Sequence, residues 1–311
     1  MPLAFKKLHM PLRKLRKSLK HVSKAPSADE IHDLRTRARR MEAVFRSLSL
    51  DEDSDGQRLL QTIEPIRKKA GRVRDMDVLI GSALTLTKQH HDEAATRLLE
   101  QLGARREKSA AKLKAEIREN QRQARRLLQK SSSLIAKTFK TPSEEPQRQE
   151  WQAGARAEAI HLATELAEWP ALSAQNLHSY RKKIKELQNI LDFAEAPDQE
   201  IIEAFGQAKD AIGEWHDWSE LTGIASKVLA EQSRCRLVHE IRSVERIKLE
   251  AALFLTLRIR NIYLAPEAGA GNRTLPMLQK RFLAAASRLA TSAPTAGLNP
   301  DSQSENGSPP R

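Results

Sequence analysis

Two related pairs of segments occur in the same order along the chain, and this internal repeat limits the possible folds more than any other feature of the sequence. Residues 31–41 (IHDLRTRARRM) match residues 177–187 (LHSYRKKIKEL), and residues 71–79 (GRVRDMDVL) match residues 213–221 (GEWHDWSEL). In each half the second segment follows the first by about forty residues. A sequence unit that recurs in this way is one supersecondary unit used twice, so we predict two related halves.

Both halves are predicted to be helical. Apolar residues recur at spacings of three and four along nearly the whole chain, and alternating strand patterns are nearly absent. The chain has only 12 Gly and is rich in residues that lose little on entering a helix. The fold class is therefore predicted to be all-α. A helix start is predicted at residues 26–30 (PSADE), and Pro65 is predicted to break or kink its helix.

Composition divides the chain into bundles, a linker and a tail. Residues 141–146 (TPSEEP) have the Pro and Ser content of a linker, whereas a helical pattern continues as far as 273–291. From Ala293 onward almost no apolar residue remains, which predicts disorder. The predicted organisation is a first helical bundle at 1–140, a linker at 141–147, a second bundle at 148–291 and a disordered tail at 292–311.

The charge balance indicates an anionic partner. The formal net charge is +13 and the pI is about 9.9, which predicts attraction to phosphate-rich polymers or anionic surfaces. The lone cysteine, Cys235, excludes an intrachain disulfide framework and a cysteine-based zinc site. No segment has the length of a membrane span or the apolar core of a signal peptide. We therefore expect a cytoplasmic protein.

The matched segments carry basic stripes. On a helix with 100° per residue, four side chains of the first half share one stripe: His32, Arg35, Arg39 and Arg46. The second half repeats this with His178, Arg181 and Lys185. Like charges one turn apart repel by a few tenths of a kcal/mol, so two such rows indicate an anion that neutralises them. Because the stripes border apolar faces, we predict a groove or channel between helices, where arginine can bind phosphate in a bidentate manner.

Other polar residues in these segments allow more than one interpretation. The two histidines, taken singly, would usually be structural, but their matched positions favour ligand contact or orientation of the neighbouring cations. Asp75 and Asp217 could be catalytic carboxylates. We favour an orienting role for both, in which each pairs with a nearby histidine or arginine.

The four segments together resemble the conserved histidine α-helical domain family, the CHAD family, over roughly residues 5–290. The resemblance implies two four-helix bundles related by a pseudo-twofold axis. It also implies a basic pore or groove that binds inorganic polyphosphate, and association with polyphosphate granules. Some members carry an N-terminal triphosphate tunnel domain with a Glu-x-Glu-x-Lys signature. That motif is absent here, so we expect a stand-alone CHAD protein without hydrolase activity.

The resemblance also implies which residues contact phosphate. Carried over by position, the expected contacts are His32, Arg35, Arg39, Arg40, His178, Arg181, Lys182 and Lys185. Further candidates are Arg72 and Arg74 from the second segment, and Arg13, Arg16, Lys17 and Lys20 from the preceding basic helix. The second half has Glu186 at the position of Arg40, which predicts weaker binding there.

A nucleic-acid binder is the second hypothesis, since the same charges attract DNA and RNA. Non-specific single-strand binders usually add aromatic stacking platforms, but the aromatic content is only 4% and no aromatic residue interrupts either stripe. Trp215 and Trp218 are predicted to pack in the core. Nucleic acid would then be a weaker polyanionic partner.

Two further hypotheses have less support. An enzyme acting on phosphate polymers would usually need metal-binding carboxylates or a phosphate-cradling glycine loop, and no P-loop pattern is present. Residues 90–93 (HHDE) are adjacent rather than spaced by one helical turn, which favours a surface turn. We expect no catalytic residue, metal or cofactor. The basic helix at 3–24 could bind an anionic membrane, but we favour its packing against the bundle.

Overall fold

The computed structural model describes residues 2–21, 26–87, 93–230 and 235–264. These residues form eight α-helices: α1 Phe5–His21, α2 Ala28–Ser47, α3 Ser54–Thr87, α4 Glu93–Lys140, α5 Glu145–Ala167, α6 Leu177–Asp192, α7 Gln199–Val228 and α8 Arg236–Ile259. A 3₁₀ turn at Pro142–Glu144 precedes α5, and a π-helical turn at Arg260–Leu264 follows α8. In the described part of the chain no strand forms, and a single bridge joins Leu3 to Ala194. The all-α prediction is confirmed.

The start of α2 is fixed by its own sequence, as predicted. Ser27 Oγ accepts a hydrogen bond from the Glu30 backbone N–H at 3.2 Å, and the Glu30 carboxylate accepts one from the Ser27 N–H at 2.8 Å. This reciprocal capping box satisfies two N–H groups that the helix would otherwise leave unpaired. The rotation of α2, and so the direction in which its basic stripe points, is set by its buried face of Ile31, Leu34 and Met41.

Pro65 was predicted to break or kink its helix; it does not break it, because α3 continues from Ser54 to Thr87, and the kink stays a prediction. Proline removes one backbone hydrogen bond and clashes with the preceding turn, which costs about 3 kcal/mol in a helix interior. Ile63 and Ile66 beside it are fully buried. Each such side chain contributes about 1.5–3 kcal/mol when buried, so core packing outweighs the local penalty.

The helices pack in sequence order. In the first half α1 contacts α2, α2 contacts α3, α3 contacts α4, and α4 returns to α1. In the second half α5 contacts α6, α6 contacts α7, α7 contacts α8, and the π-helical turn returns to α5. The halves meet where α2 contacts α6 and where α3 contacts α7. The polypeptide leaves α4 at Lys140 and enters α5 at Glu145, inside the predicted linker.

The hydrophobic core crosses between the two halves. A large cluster combines residues such as Leu12 and Phe45 with Tyr180 and Phe205. A second cluster joins the far ends of the α3–α4 and α7–α8 hairpins; its members include Leu79, Leu98, Trp218, Leu221 and Ile241. Because both clusters draw on both halves, the described core is not divided at residues 140–148. The domain boundaries therefore stay a prediction.

The apolar stripe of α1 faces the core. Leu8, Leu12, Leu15 and Leu19 are at most 1% exposed, so the stripe is used for packing and is not free to enter a membrane. Within the described ranges, every helix falls short of the length and apolar character that crossing a membrane requires. Trp215 and Trp218 are buried, as predicted. The predicted helix at 273–291 and the predicted tail at 292–311 lie outside the described residues.

Candidate functional site

A groove between α2, α3, α6 and α7 brings the two basic stripes together. We call it the central groove; its cavity volume is about 750 Å³. It lies at the level where the first hydrophobic cluster ends and the second begins along α3 and α7. The predicted site residues that line it are His32, Arg35, Arg39, Arg40, Arg74, Asp75, His178, Arg181, Lys185 and Asp217.

The cations of α2 and α6 form one layer in this groove. Burial, followed by the positive charges of Arg39, Arg35 and Arg181, lowers the pKa of Lys185 to about 6. Burial, followed by the charge of Arg35, likewise lowers the pKa of Arg39 to about 10. Both shifts have the same physical cause, because a positive charge is hard to hold among other positive charges away from water. The layer is therefore suited to an anion.

Few acids neutralise this layer. Among the described residues, no carboxylate oxygen lies within 4 Å of a charged nitrogen of Arg39 or Lys185, and Glu42, near Arg39, pairs with Arg67. Arg35 Nη2 lies 3.9 Å from an oxygen of Asp75. The charges of the arginines in this layer are therefore only partly compensated by acids and stay available to a ligand.

Two glycines, one in each half, lie where the second segment of the repeat packs against the first. A Cβ atom added to Gly213 would lie 2.5 Å from Arg181 Nη2, and one added to Gly71 would lie 3.6 Å from Arg35 Nε. In each half the arginine of the first segment therefore rests against the glycine of the second. Arg181 Nε also donates a hydrogen bond to the Lys209 carbonyl oxygen at 2.9 Å. The matched glycines were visible in the sequence, but their role depends on how the helices pack.

The two predicted histidines lie in different surroundings. The ring of His178 lies 4.4 Å from the ring of His216, and its Nδ1 is buried without a hydrogen-bond partner. Burial, followed by the charge of His216, lowers the pKa of His178 to about 4, so this ring is neutral at pH 7. His32 is exposed, with its Nε2 3.5 Å from Thr36 Oγ1. His178 is thus the more constrained of the pair.

Most carboxylates of the groove lie on its α3–α7 side, and α6 adds Asp192 at its end. Burial raises the pKa of Asp75, and the nearby charge of Asp217 raises it further while Arg35 opposes the shift. An oxygen of Asp217 lies 3.9 Å from His216 Nδ1. Each acid therefore has the kind of partner that an orienting role requires: Arg35 for Asp75, and His216 for Asp217. The groove has a cationic side on α2 and α6 and a mixed side on α3 and α7.

Among the basic residues of the groove, sequence reasoning missed two. His216 occupies the repeat position of Arg74, so the alignment of the two halves could have suggested it. Lys209 also lines the groove and is a positive neighbour of Lys185. It belongs to neither matched segment, and no local pattern distinguishes it from other surface lysines. Only the contact of α6 with α7 brings it to the site.

Several predicted contacts lie outside the central groove. Lys182 is exposed and does not line it, although its charge acts on His178. Arg72 lines a neighbouring pocket with Lys69, Arg105, Lys108 and Lys112. The four basic residues of α1 line a separate groove against α4; they are Arg13, Arg16, Lys17 and Lys20. They do not extend the central groove, because the packing of α1 directs them toward α4.

The structure offers no metal centre among the residues it describes, where no group of three or more His, Cys, Asp or Glu side chains is suitably placed. Residues 90–92 of the histidine-rich turn lie outside the described ranges. The arrangement of the groove is that of a cationic binding surface.

Comparison with known proteins identifies the fold. The profile of the CHAD domain matches residues 8–225. No curated protein sequence matches the chain. Among solved structures, PptA from Streptomyces chartreusis aligns with a TM-score of 0.58 and 14% identity, covering 82% of this chain and 96% of that one. The CHAD domain from the plant Ricinus communis aligns with a TM-score of 0.52 and 17% identity, covering 82% and 84%.

The titration of Lys185 gives a test of the cationic layer. Between about pH 6 and pH 10 this lysine is neutral in the folded protein and protonated in the unfolded one, so the free energy of unfolding should rise with pH. Lys185→Met should remove this dependence on pH. The variant should have a higher free energy of unfolding than the wild type at low pH, and the difference between the two proteins should shrink as the pH rises. Urea denaturation at pH 6 and pH 9 measures this. The exposed variant Lys114→Met is the control, and equal pH slopes in all three proteins would contradict the prediction.

Proposed function

This chain belongs to the CHAD domain family, and from that premise we propose that it binds inorganic polyphosphate in the central groove. The family is associated with polyphosphate binding and is a non-catalytic helical domain. The observation that carries the proposal is the half-buried cationic layer to which both halves contribute. We further propose that the protein associates with polyphosphate granules and acts there by binding, without hydrolysing the polymer.

The chemistry of the ligand fits the groove. Polyphosphate is a flexible chain of anions without bases, so cations alone can hold it. Arginine binds phosphate through two parallel charge-assisted hydrogen bonds, which makes Arg35, Arg39 and Arg181 suitable contacts. An anion in the groove relieves the repulsion within the layer. It also favours the protonated form of Lys185, which adds a charge to the site.

The residues proposed to act on the polymer form three groups according to where they lie. The residues proposed to touch the polymer in the central groove are His32, Arg35, Arg39, Arg40, Arg74, His178, Arg181, Lys185, Lys209 and His216. Lys182 and Arg72 are proposed to attract it from outside the groove. Asp75 and Asp217 are proposed to orient Arg35 and His216. The two halves that the repeat predicts would then act as one site.

Nucleic acid is the second candidate ligand, and the walls of the groove argue against it. Among the described residues that line the central groove, none is Phe, Tyr or Trp. Trp215 and Trp218 are buried in the hydrophobic clusters. Base stacking on aromatic side chains is therefore not provided for, and DNA or RNA would bind through its phosphates alone.

The first experiment is a competition titration at near-physiological salt. Labelled long-chain polyphosphate bound to the protein is displaced with unlabelled polyphosphate, single-stranded DNA or duplex DNA at equal phosphate concentration. We expect polyphosphate to displace the label at a much lower concentration than either DNA, because the groove supplies cations and no stacking surface. Equal or better displacement by DNA would overturn the ligand assignment.

A double substitution tests the site. Arg35→Ala with Arg39→Ala should lower the affinity for polyphosphate by about 100-fold, since hydrogen bonds to charged groups contribute about 1.5–3 kcal/mol each. Alanine is the better helix former, so the circular dichroism spectrum should not change. Arg118→Ala with Arg122→Ala removes the same charge from the exposed face of α4 and should keep most of the affinity. Equal losses in the two double variants would contradict the assigned site.

The glycine contacts allow a finer test. Gly213→Ala should push the Arg181 guanidinium aside and lower the affinity about 10-fold, the effect of losing roughly 1.4 kcal/mol of interaction. Gly71→Ala is the matched control, because its Cβ would make an ordinary contact with Arg35. Gly71→Ala should melt at or above the wild-type temperature, since alanine stabilises a helix. In Gly213→Ala the displacement of Arg181 should offset part of that gain. Equal affinities for the two variants would show that the position of Arg181 does not matter.

A further inference from the structure

We infer that α1 and α4 form a second polyphosphate-binding groove, so that one protein molecule holds the polymer at two separate places. The inference rests on the proposed function for its class of ligand. We call this site the α1–α4 groove. Four of its cations from α1 are Arg13, Arg16, Lys17 and Lys20; Lys14 of α1 and Arg125 of α4 also line it. Its cavity volume is about 740 Å³, close to that of the central groove.

The α1–α4 groove is lined without acids. No Asp or Glu occurs before Asp29, and none is among the residues that line this groove. Within the described part of the chain, the four α1 cations have no carboxylate oxygen within 4 Å. Arg125 Nε is buried and has no hydrogen-bond partner. A row of repelling charges without counter-charges is explained if an external polyanion neutralises them.

Packing holds these cations in one direction. The buried leucine stripe fixes the rotation of α1, so its basic residues point to the opposite side, toward solvent and α4. His9 Nε2 lies 2.7 Å from Ser132 Oγ of α4, and the His9 ring stacks on Phe5. Burial lowers the pKa of His9, and the charges of Arg13 and Lys140 lower it further. The groove is thus built on two fixed helices.

The two grooves lie on opposite edges of the first half. Its helices contact one another in a ring, in which the α1–α4 edge faces away from the α2–α3 edge that borders the central groove. No residue lines both grooves. A short polyphosphate chain therefore occupies one groove at a time. A long chain can occupy grooves on different molecules, and this bivalence links them into assemblies.

Polyphosphate fits the α1–α4 groove better than a membrane or a nucleic acid does. The leucines that would enter a bilayer are buried, so no apolar face accompanies the cations. The residues lining the groove include no Phe, Tyr or Trp on which a base could stack. Hydroxyl and amide groups of Ser132, Ser133 and Gln129 complete its walls and can donate to phosphate oxygens.

Calorimetry with short polyphosphate chains and light scattering with long chains test the inference on the full chain. The wild type should bind two short chains and form large assemblies with long ones. The variant R13Q/R16Q/K17Q/K20Q should bind one short chain, with the affinity of the central groove, and form no assemblies. The control K114Q/R118Q/R122Q/R126Q removes as many charges from exposed positions of α4 and should behave like the wild type.

The outcomes separate this inference from the proposed function. R35A/R39A should keep one weaker, more salt-sensitive site, because the α1 cations are exposed. Unchanged stoichiometry in R13Q/R16Q/K17Q/K20Q, or complete loss of binding in R35A/R39A, would overturn the second groove and leave the central site standing. Stronger displacement by duplex DNA than by polyphosphate from R35A/R39A would also overturn it. Absence of any polyphosphate binding by the wild type would overturn the proposed function itself.

Discussion

The contact between α2 and α6 is the interaction on which the site depends. It brings Arg35 and Arg39 beside Arg181 and Lys185, an arrangement that repulsion alone would separate. Apolar side chains beside the stripes hold the helices together; those at most 1% exposed include Ile31, Leu34, Met41, Ile184 and Leu187. Burial of each large one contributes about 1.5–3 kcal/mol, whereas a like-charged pair on an isolated helix costs a few tenths. Even when burial strengthens the repulsion several-fold, the free energy gained by burying the apolar side chains is larger. The core therefore holds the cations together in the position where an anion can bind.

Local patterns in the sequence predicted the local structure well. The helical period, the start of α2 at Ser27 and the burial of the α1 leucines depend on residues close together in the chain, so they could be identified in advance. Pro65 shows the limit of predictions from local sequence. The free-energy cost of proline inside a helix is local, but the packing that outweighs it comes from other helices. The repeat predicted most of the cations that meet in the central groove, because matched segments on matched helices meet where the halves join. Arg46, the last residue of the first stripe, instead pairs with Glu186.

Features that depend on the contacts between helices could not be predicted from the sequence. Lys209 reaches the groove only because α7 contacts α6. The pKa of His178 is lowered by its burial and then by the charge of His216, and both effects depend on how the helices pack. The cations of α1 looked like a continuation of the first stripe, but the position of α4 gives them a groove of their own. The core that the two halves share could likewise not be predicted from the sequence, because each half has a complete set of helical patterns by itself.

The backbone hydrogen bonds that join residues 2–4 to residues 193–195 have a consequence for the order in which the chain folds. The Ala4 N–H donates to the Phe193 carbonyl at 2.9 Å, and the Glu195 N–H donates to the Pro2 carbonyl at 3.0 Å. On the ribosome, which adds roughly 5–20 residues per second, these partners emerge on the order of ten seconds or more after the N-terminus. During that time the start of α1 lacks its backbone anchor, and part of the shared core has not been synthesised. The half that is made first therefore cannot be completed until part of the second half has been made, and the rate of translation limits the time at which the molecule closes.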